Sequence, residues 1–176
     1  MERPVFMGVI LCLLLLGCSN DDDSPTCISW PGTSASKGSS DLNISGKAFY
    51  EDKPYTASGF TGEKINTPIR HAIINVIAND CLVKLSSSQT GEDGSFTFNK
   101  INNSSRLGGV HLQIEAKNAD DSASPAEVRD NKTNNALLVV SGVTLDDSVS
   151  TTTIFNNQDI IVPSTGIGGA FNILDN

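Results

Sequence analysis

The chain has 176 residues, with 12 Lys and Arg against 20 Asp and Glu, and its formal net charge is −8. This length suits a single domain with tails. Nucleic-acid binding needs many clustered basic contacts with phosphates, so the acidic composition excludes nucleic acid as a partner.

A short apolar stretch lies near the start of the chain. It runs from Val5 to Leu16, and the small residue Gly17 follows it. A membrane-spanning helix needs roughly 20 apolar residues, which is more than this stretch holds. The pattern predicts a signal peptide over residues 1–17, and the alternative is a buried strand or helix of a cytosolic protein.

The end of this stretch carries a motif around a cysteine. The run Leu15-Leu16-Gly17-Cys18 resembles the bacterial lipoprotein signal, with leucine three positions and a small residue one position before the cysteine. The resemblance implies cleavage before Cys18 and attachment of acyl chains, such as palmitate, to that residue. More than one acyl chain makes anchoring stable, so we expect a membrane partner through this lipid.

Residues 18–41 are rich in Ser, Asp, Gly, Thr and Pro. This composition does not offset the entropy cost of ordering, so it predicts a lipidated flexible tether. Serine rather than aspartate directly after the cysteine, here Ser19, resembles the pattern of lipoproteins sorted to the outer membrane. Asp21-Asp22-Asp23 resembles the export signal of some surface lipoproteins. The other interpretation of this acidic run is a metal site. We therefore expect a lipid-anchored location in the bacterial cell envelope, at the outer membrane, on its periplasmic face or at the cell surface.

The chain contains four cysteines. Cys12 lies in the predicted signal peptide and Cys18 is expected to carry lipid, so Cys27 and Cys81 remain to pair in an oxidising compartment. We predict a disulfide between them, worth about 4 kcal/mol in the chain-entropy model. The alternative is two free thiols.

From Leu42 onward, apolar residues alternate with polar ones between Gly, Asn, Asp, Ser and Pro punctuation. A period of two is typical of strands with one buried face. The pattern predicts an all-β fold, a Greek-key β-sandwich of about seven strands over residues 42–163, followed by a tail or truncated helix over 164–176. The predicted strands are Leu42–Tyr50, Ala72–Ala78, Leu82–Ser88, Ser95–Asn99, Val110–Lys117, Ala136–Ser141 and Thr152–Val162.

One run also points to a tight turn and to a family. In Thr90–Phe98, the pair Asp93-Gly94 predicts a turn, after which Phe96 and Phe98 lie on one face of the next strand. Together with Gly46, Pro68, Ala72, Ile74 and Val76, this run resembles the carboxypeptidase regulatory-like domain. The resemblance implies a transthyretin-like sandwich.

A second resemblance concerns the end of the sequence. Gly168–Asp175 looks like the first turns of an amphipathic helix. With Tyr50–Tyr55 and Ser58–Gly62, it resembles larger bacterial lipoproteins in which such a sandwich precedes a metallopeptidase-like domain. The sequence has no His-Glu-x-x-His motif, so the resemblance implies no peptidase activity here. A truncated relative, a lone accessory domain and an ordinary tail remain alternatives.

Residues with catalytic or metal-binding chemistry are few. His71 and His111 are the two histidines, and neither zinc-ligand spacing nor a Gly-x-Ser-x-Gly elbow occurs. We therefore expect no catalytic residue, no metal and no cofactor. Arg70, His71 and His111 faintly resemble the residues of a purine-derivative hydrolase with a transthyretin-like fold, which makes a weak hydrolase the alternative. We expect His111 to face solvent.

Calcium is a further alternative, because hard oxygen ligands lie at Asp120-Asp121 and in Asp130–Asn135, although such clusters are more often plain turns.

The connection from Glu51 to Pro68 is long for a compact sandwich and carries Tyr55 and Phe60 among small polar residues. These aromatics are candidate ligand-binding residues for a glycan or an envelope protein partner. We favour the other interpretation, in which Phe60 folds back to cover an open end or an edge of the sandwich. The sequence therefore favours a non-catalytic, membrane-tethered binding, spacer or accessory module.

Overall fold

The computed structural model describes residues 28–31, 33–118, 126–130, 136–148 and 151–164. Within these ranges the chain forms thirteen strand segments and no helix. The all-β sandwich is confirmed, whereas the predicted count of about seven strands is too low. The strands are β1 (Asp41–Asp52), β2 (Tyr55–Thr56), β3 (Gly59–Phe60), β4 (Ile65–Pro68), β5 (Ala72–Ala78), β6 (Lys84–Gln89), β7 (Ser95–Ile101), β8 (Val110–Asn118), β9 (Arg129–Asp130), β10 (Ala136–Leu137), β11 (Val139–Leu145), β12 (Thr152–Phe155) and β13 (Ile160–Val162).

The extra segments have two origins. The long connection after β1 contains β2, β3 and β4, which the sequence pattern did not predict, and β9 is also additional. The last two predicted strands are each divided, into β10 with β11 and into β12 with β13.

The first sheet is organised around β1, which all four other strands of that sheet contact. β1 pairs antiparallel with β7 and β4 and parallel with β12 and β13. β12 and β13 are the last strands of the described chain, so the end of the domain pairs directly with its first strand, β1.

The second sheet has the order β11-β8-β5-β6, and all its neighbours are antiparallel. Its inner face packs on the first sheet, as the alternation in β8 predicts. Burial of these apolar side chains is the main source of stability. The buried core comprises Leu42, Ile44, Ala48, Tyr50, Ile69, Ala72, Ile74, Val76, Phe96, Phe98, Ile101, Val110, Leu112, Ile114, Ala116, Leu145, Ile160 and Val162.

The predicted turn before β7 is present. Gly94 has a φ of +76°, and the Asp93 Oδ1 accepts a hydrogen bond from the Ser95 amide at 3.1 Å. Phe96 and Phe98 then enter the core, with ring centroids 6.1 Å apart. A Cβ on Gly94 would lie 2.4 Å from the Ala48 carbonyl oxygen, so the turn needs glycine for both its conformation and its space.

The described part of the predicted tether contacts the sandwich. We call residues 28–31 and 33–40 the N-terminal strap; residues 18–27 lie outside the described residues. The Trp30 amide donates to the Asn79 carbonyl at 2.7 Å, and the Gly38 amide donates to the Arg106 carbonyl at 3.0 Å. The strap therefore runs along the domain although its composition is that of a linker.

A buried carboxylate holds the end of the strap. Asp147 has no exposed surface and accepts hydrogen bonds from the Ser39 amide at 2.9 Å and the Gly109 amide at 2.7 Å. The Asn103 Nδ2 donates to the same carboxylate at 3.2 Å. A buried charge is tolerated when it is hydrogen-bonded in this way, so Asp147 links the strap to two loops.

Candidate functional site

A small hairpin stands at one end of the first sheet. β2 and β3 pair antiparallel, with Tyr55 opposite Phe60 and Thr56 opposite Gly59. Gly59 has a φ of +108°, which suits a tight turn, and the Thr56 hydroxyl donates to the Gly59 carbonyl at 3.1 Å. Directly opposed residues point to the same face of a hairpin, so the pairing places the two aromatic rings side by side.

Both rings of this hairpin face solvent. Tyr55 is 72% exposed and Phe60 is 71% exposed, with ring centroids 5.4 Å apart in an edge-to-face arrangement. Phe60 does not fold back over the sandwich, in contrast to Phe96 and Phe98, which are buried. The candidate ligand-binding residues are therefore brought together and left accessible.

The rings border an open groove of about 1010 Å³. Small-molecule sites usually measure about 300–1,000 Å³, so the groove has the size of a ligand site. Its lining combines apolar and polar side chains: Tyr50, Glu51, Asp52, Lys53, Pro54, Tyr55, Phe60, Gly62, Lys64 and Ser164.

Polar contacts join three residues of the groove lining at the Glu51 carboxylate. The Lys64 ammonium donates to Glu51 Oε2 at 2.7 Å, and the Ser164 amide donates to the same oxygen at 3.1 Å. The hydrogen bond from Lys64 lowers the pKa of the Glu51 carboxyl, and the Ser164 amide lowers it further. Glu51 is thus ionised at neutral pH and paired with a cation.

The two histidines lie apart. His71 precedes β5 and its Nε2 is 3.1 Å from the exposed Glu92 Oε1, while His111 in β8 pairs opposite Ile77 in β5. Six residues along a strand separate the two positions by about 20 Å. The residues of the weak-hydrolase alternative are therefore not brought together.

The structure corrects the expectation for His111. Its side chain is buried, with 1% exposure, because Trp30 of the strap stacks on the imidazole at a centroid distance of 4.2 Å. Its Nδ1 lies 2.9 Å from Asn79 Oδ1. The period-two pattern placed His111 on the outer face of the sheet correctly, but it held no sign that a distant tryptophan covers this side chain.

The cysteine and metal predictions are only partly within the described residues. Cys81 is disulfide-bonded, whereas Cys18 and Cys27 lie outside the described residues, so their lipid attachment and pairing stay predictions. In the described ranges, no group of three or more His, Cys, Asp or Glu side chains is placed to hold a metal ion. Asp120-Asp121 and residues 131–135 of the calcium alternative are also outside these ranges.

Across the same ranges, no helix has the length and hydropathy needed to cross a bilayer.

Comparisons with known proteins give no match. No family model, no curated protein and no solved structure matches this chain. The resemblance to the carboxypeptidase regulatory-like domain therefore stays a prediction.

Proposed function

We propose that this chain is a lipid-anchored protein of the bacterial cell envelope whose β-sandwich acts as a non-catalytic binding module. The observation that carries the binding role is the exposed pair of Tyr55 and Phe60 beside an open groove. Large side chains exposed together beside a concave surface are typical of interaction sites.

The anchoring role rests on the sequence around Cys18. The signal-like stretch, the small residue before the cysteine and the polar segment after it favour export, lipid attachment and a place at the outer membrane. In this proposal residues 19–40, which include the N-terminal strap, connect the lipid to the sandwich.

Anchoring is tested by feeding the producing cells with labelled palmitate. The wild-type chain is expected to incorporate the label and to sediment with membranes. A Cys18→Ser variant should lose the label, whereas Cys12→Ser is the matched control and should leave the final product unchanged. An unlabelled wild-type chain in the cytosolic fraction would show that the anchoring proposal is wrong.

Binding is tested by retention on isolated cell envelopes. The protein used in this experiment is residues 18–176 with Cys18→Ser, so that neither a lipid nor an uncleaved signal peptide holds it on the membrane. Replacing Tyr55 and Phe60 with Ala should reduce retention at least tenfold. Ile154→Ala removes a side chain that is 63% exposed elsewhere on the sandwich and serves as the control. Equal retention of all variants would contradict the binding role of the groove.

A further inference from the structure

The geometry of the two aromatic rings limits what can bind beside them. In an edge-to-face pair, the edge of one ring contacts one face of the other, so each ring keeps at least one face open. The faces of aromatic rings carry partial negative charge. They therefore attract the positively polarised C–H groups on the apolar face of a sugar ring.

The charges around the groove cancel. Its lining contains two carboxylates, Glu51 and Asp52, and two ammonium groups, Lys53 and Lys64, while the whole chain has a net charge of −8. Glu51 and Lys64 already neutralise each other at 2.7 Å. The groove therefore has no excess charge to attract a polyanion, an anionic lipid surface or a polycation.

The same side chains offer hydrogen bonds beside the rings. Carboxylates accept them, the Lys ammonium groups donate them, and the Ser164 hydroxyl does both. A ligand with a flat apolar face and hydroxyl groups at its edge would use the rings and these groups together. Carbohydrates have this combination of surfaces.

The size of the groove favours a chain of sugars. Its volume of about 1010 Å³ lies at the upper end of small-molecule sites. A stable protein partner, by contrast, usually covers about 800 Å² on each side with an apolar centre. Here the two exposed rings are surrounded by charged side chains, so the apolar area is small for a stable protein interface.

We propose that the groove bordered by Tyr55 and Phe60 binds a neutral oligosaccharide, an inference that rests on the proposed binding function. The rings stack on the sugar, and the polar lining contacts its hydroxyl groups. Because no net charge is involved, binding is only weakly sensitive to salt.

The first test destroys one class of ligand at a time. Isolated envelopes are treated either with periodate, which cleaves the vicinal diols of sugars, or with protease. Retention of the same Cys18→Ser protein, residues 18–176, is expected to fall at least tenfold after periodate and to persist after protease and in 0.5 M salt. Loss after protease alone would assign the groove to a protein partner, and loss in salt alone would assign it to a charged ligand.

The second test locates the contact. The chain has two tyrosines, Tyr50 and Tyr55, and both line the groove. A protein labelled with 3-fluorotyrosine therefore gives two fluorine NMR signals. Sugars released from the envelope and freed of charged species by ion exchange should shift the signal of exposed Tyr55 more than that of buried Tyr50. Retention that periodate abolishes without any shift in either signal would place the sugar site outside the groove.

Variants that keep an aromatic ring show whether binding depends on ring stacking or on some other property of these two side chains. Tyr55→Phe and Phe60→Tyr should bind within threefold of the wild type, whereas Tyr55→Ala and Phe60→Ala should bind at least tenfold more weakly. If aromatic-dependent retention survives periodate and no released sugar shifts the Tyr55 signal, the sugar inference is wrong and the proposed binding function stands. If retention never depends on Tyr55 or Phe60, both are wrong.

Discussion

The indole of Trp30 stacks on the imidazole of His111, with ring centroids 4.2 Å apart and an angle of 21° between the planes. The two residues come from the N-terminal strap and from the central strand β8, respectively. This stack covers His111 on the outer face of the second sheet, where a strand of this pattern would otherwise meet water. Trp30 is also the one tryptophan of the chain, so its fluorescence reports directly on the docking of the strap.

Removing the indole should weaken the sandwich and expose the imidazole. We expect Trp30→Ala to lower the free energy of unfolding by about 2 kcal/mol, from lost burial and stacking. The pKa of His111, measured by NMR titration, should rise towards the usual value of about 6.5. Unfolding in urea followed by circular dichroism measures the loss. An unchanged His111 pKa would show that the indole does not shield this residue.

Stability should fall at mildly acidic pH because of His111. Burial lowers the pKa of its imidazole, so the unfolded chain binds a proton that the folded chain does not. The free energy of unfolding should therefore decrease as the pH falls below about 6.5. The carboxyls of Glu51, Asp93 and Asp146, whose pKa is lowered by hydrogen bonds, titrate at more acidic pH.

This pH dependence is measured by urea unfolding at pH 7.5 and pH 5.5. His111→Gln should flatten the difference between the two values, because the variant has no imidazole at this position. An unchanged difference in His111→Gln would contradict the assignment of this pH dependence to the His111 imidazole.

The buried carboxylate of Asp147 should be sensitive to the loss of one acceptor. In Asp147→Asn, an NH₂ group replaces one of the two oxygens that accept from Ser39, Gly109 and Asn103. A buried donor then faces other donors, which costs about 2–3 kcal/mol. The neighbouring Asp146→Asn is the control, since Asp146 contacts Ser148 in an exposed position and its replacement should cost less than about 1 kcal/mol. Chemical denaturation compares the two variants, and equal losses would argue against the role of Asp147.

Alanine variants of two glycines distinguish the cost of a left-handed backbone from the cost of steric overlap. Gly94 and Gly62 have φ values of +76° and +82°, but a Cβ would meet the Ala48 carbonyl at 2.4 Å only at Gly94. Gly62→Ala should cost about 1 kcal/mol for the left-handed backbone alone. Gly94→Ala should cost distinctly more, about 3 kcal/mol, because the turn must also shift. Thermal unfolding would contradict this account if the two variants melted at the same temperature.

The exposed aromatics should contribute little to stability. Tyr55→Ala and Phe60→Ala should each change the free energy of unfolding by less than about 0.5 kcal/mol, as is usual for surface positions. Phe96→Ala, which empties a core position that is 3% exposed, should cost about 3–5 kcal/mol. A large loss in either hairpin variant, seen in urea titrations, would mean that the ring supports the sandwich instead of binding a ligand.

Local sequence pattern was enough for several elements. The alternation from Val110 to Lys117 predicted β8 and its inner face, and Asp93-Gly94 predicted the turn that delivers Phe96 and Phe98 to the core. The sequence did not predict that Tyr55 and Phe60 lie side by side. Their segment was singled out for its length and its aromatic residues, but it was not predicted to form a hairpin.

The sequence by itself determined the all-β class, the strand faces and the tight turn, because a period of two and the preference of glycine for positive φ act over a few residues. Only the tertiary structure decided that β12 and β13 pair parallel with β1, that Trp30 covers His111, and that Tyr55 and Phe60 stay in solvent. Each of these depends on where segments far apart in the chain meet, and no short window of residues carries that information.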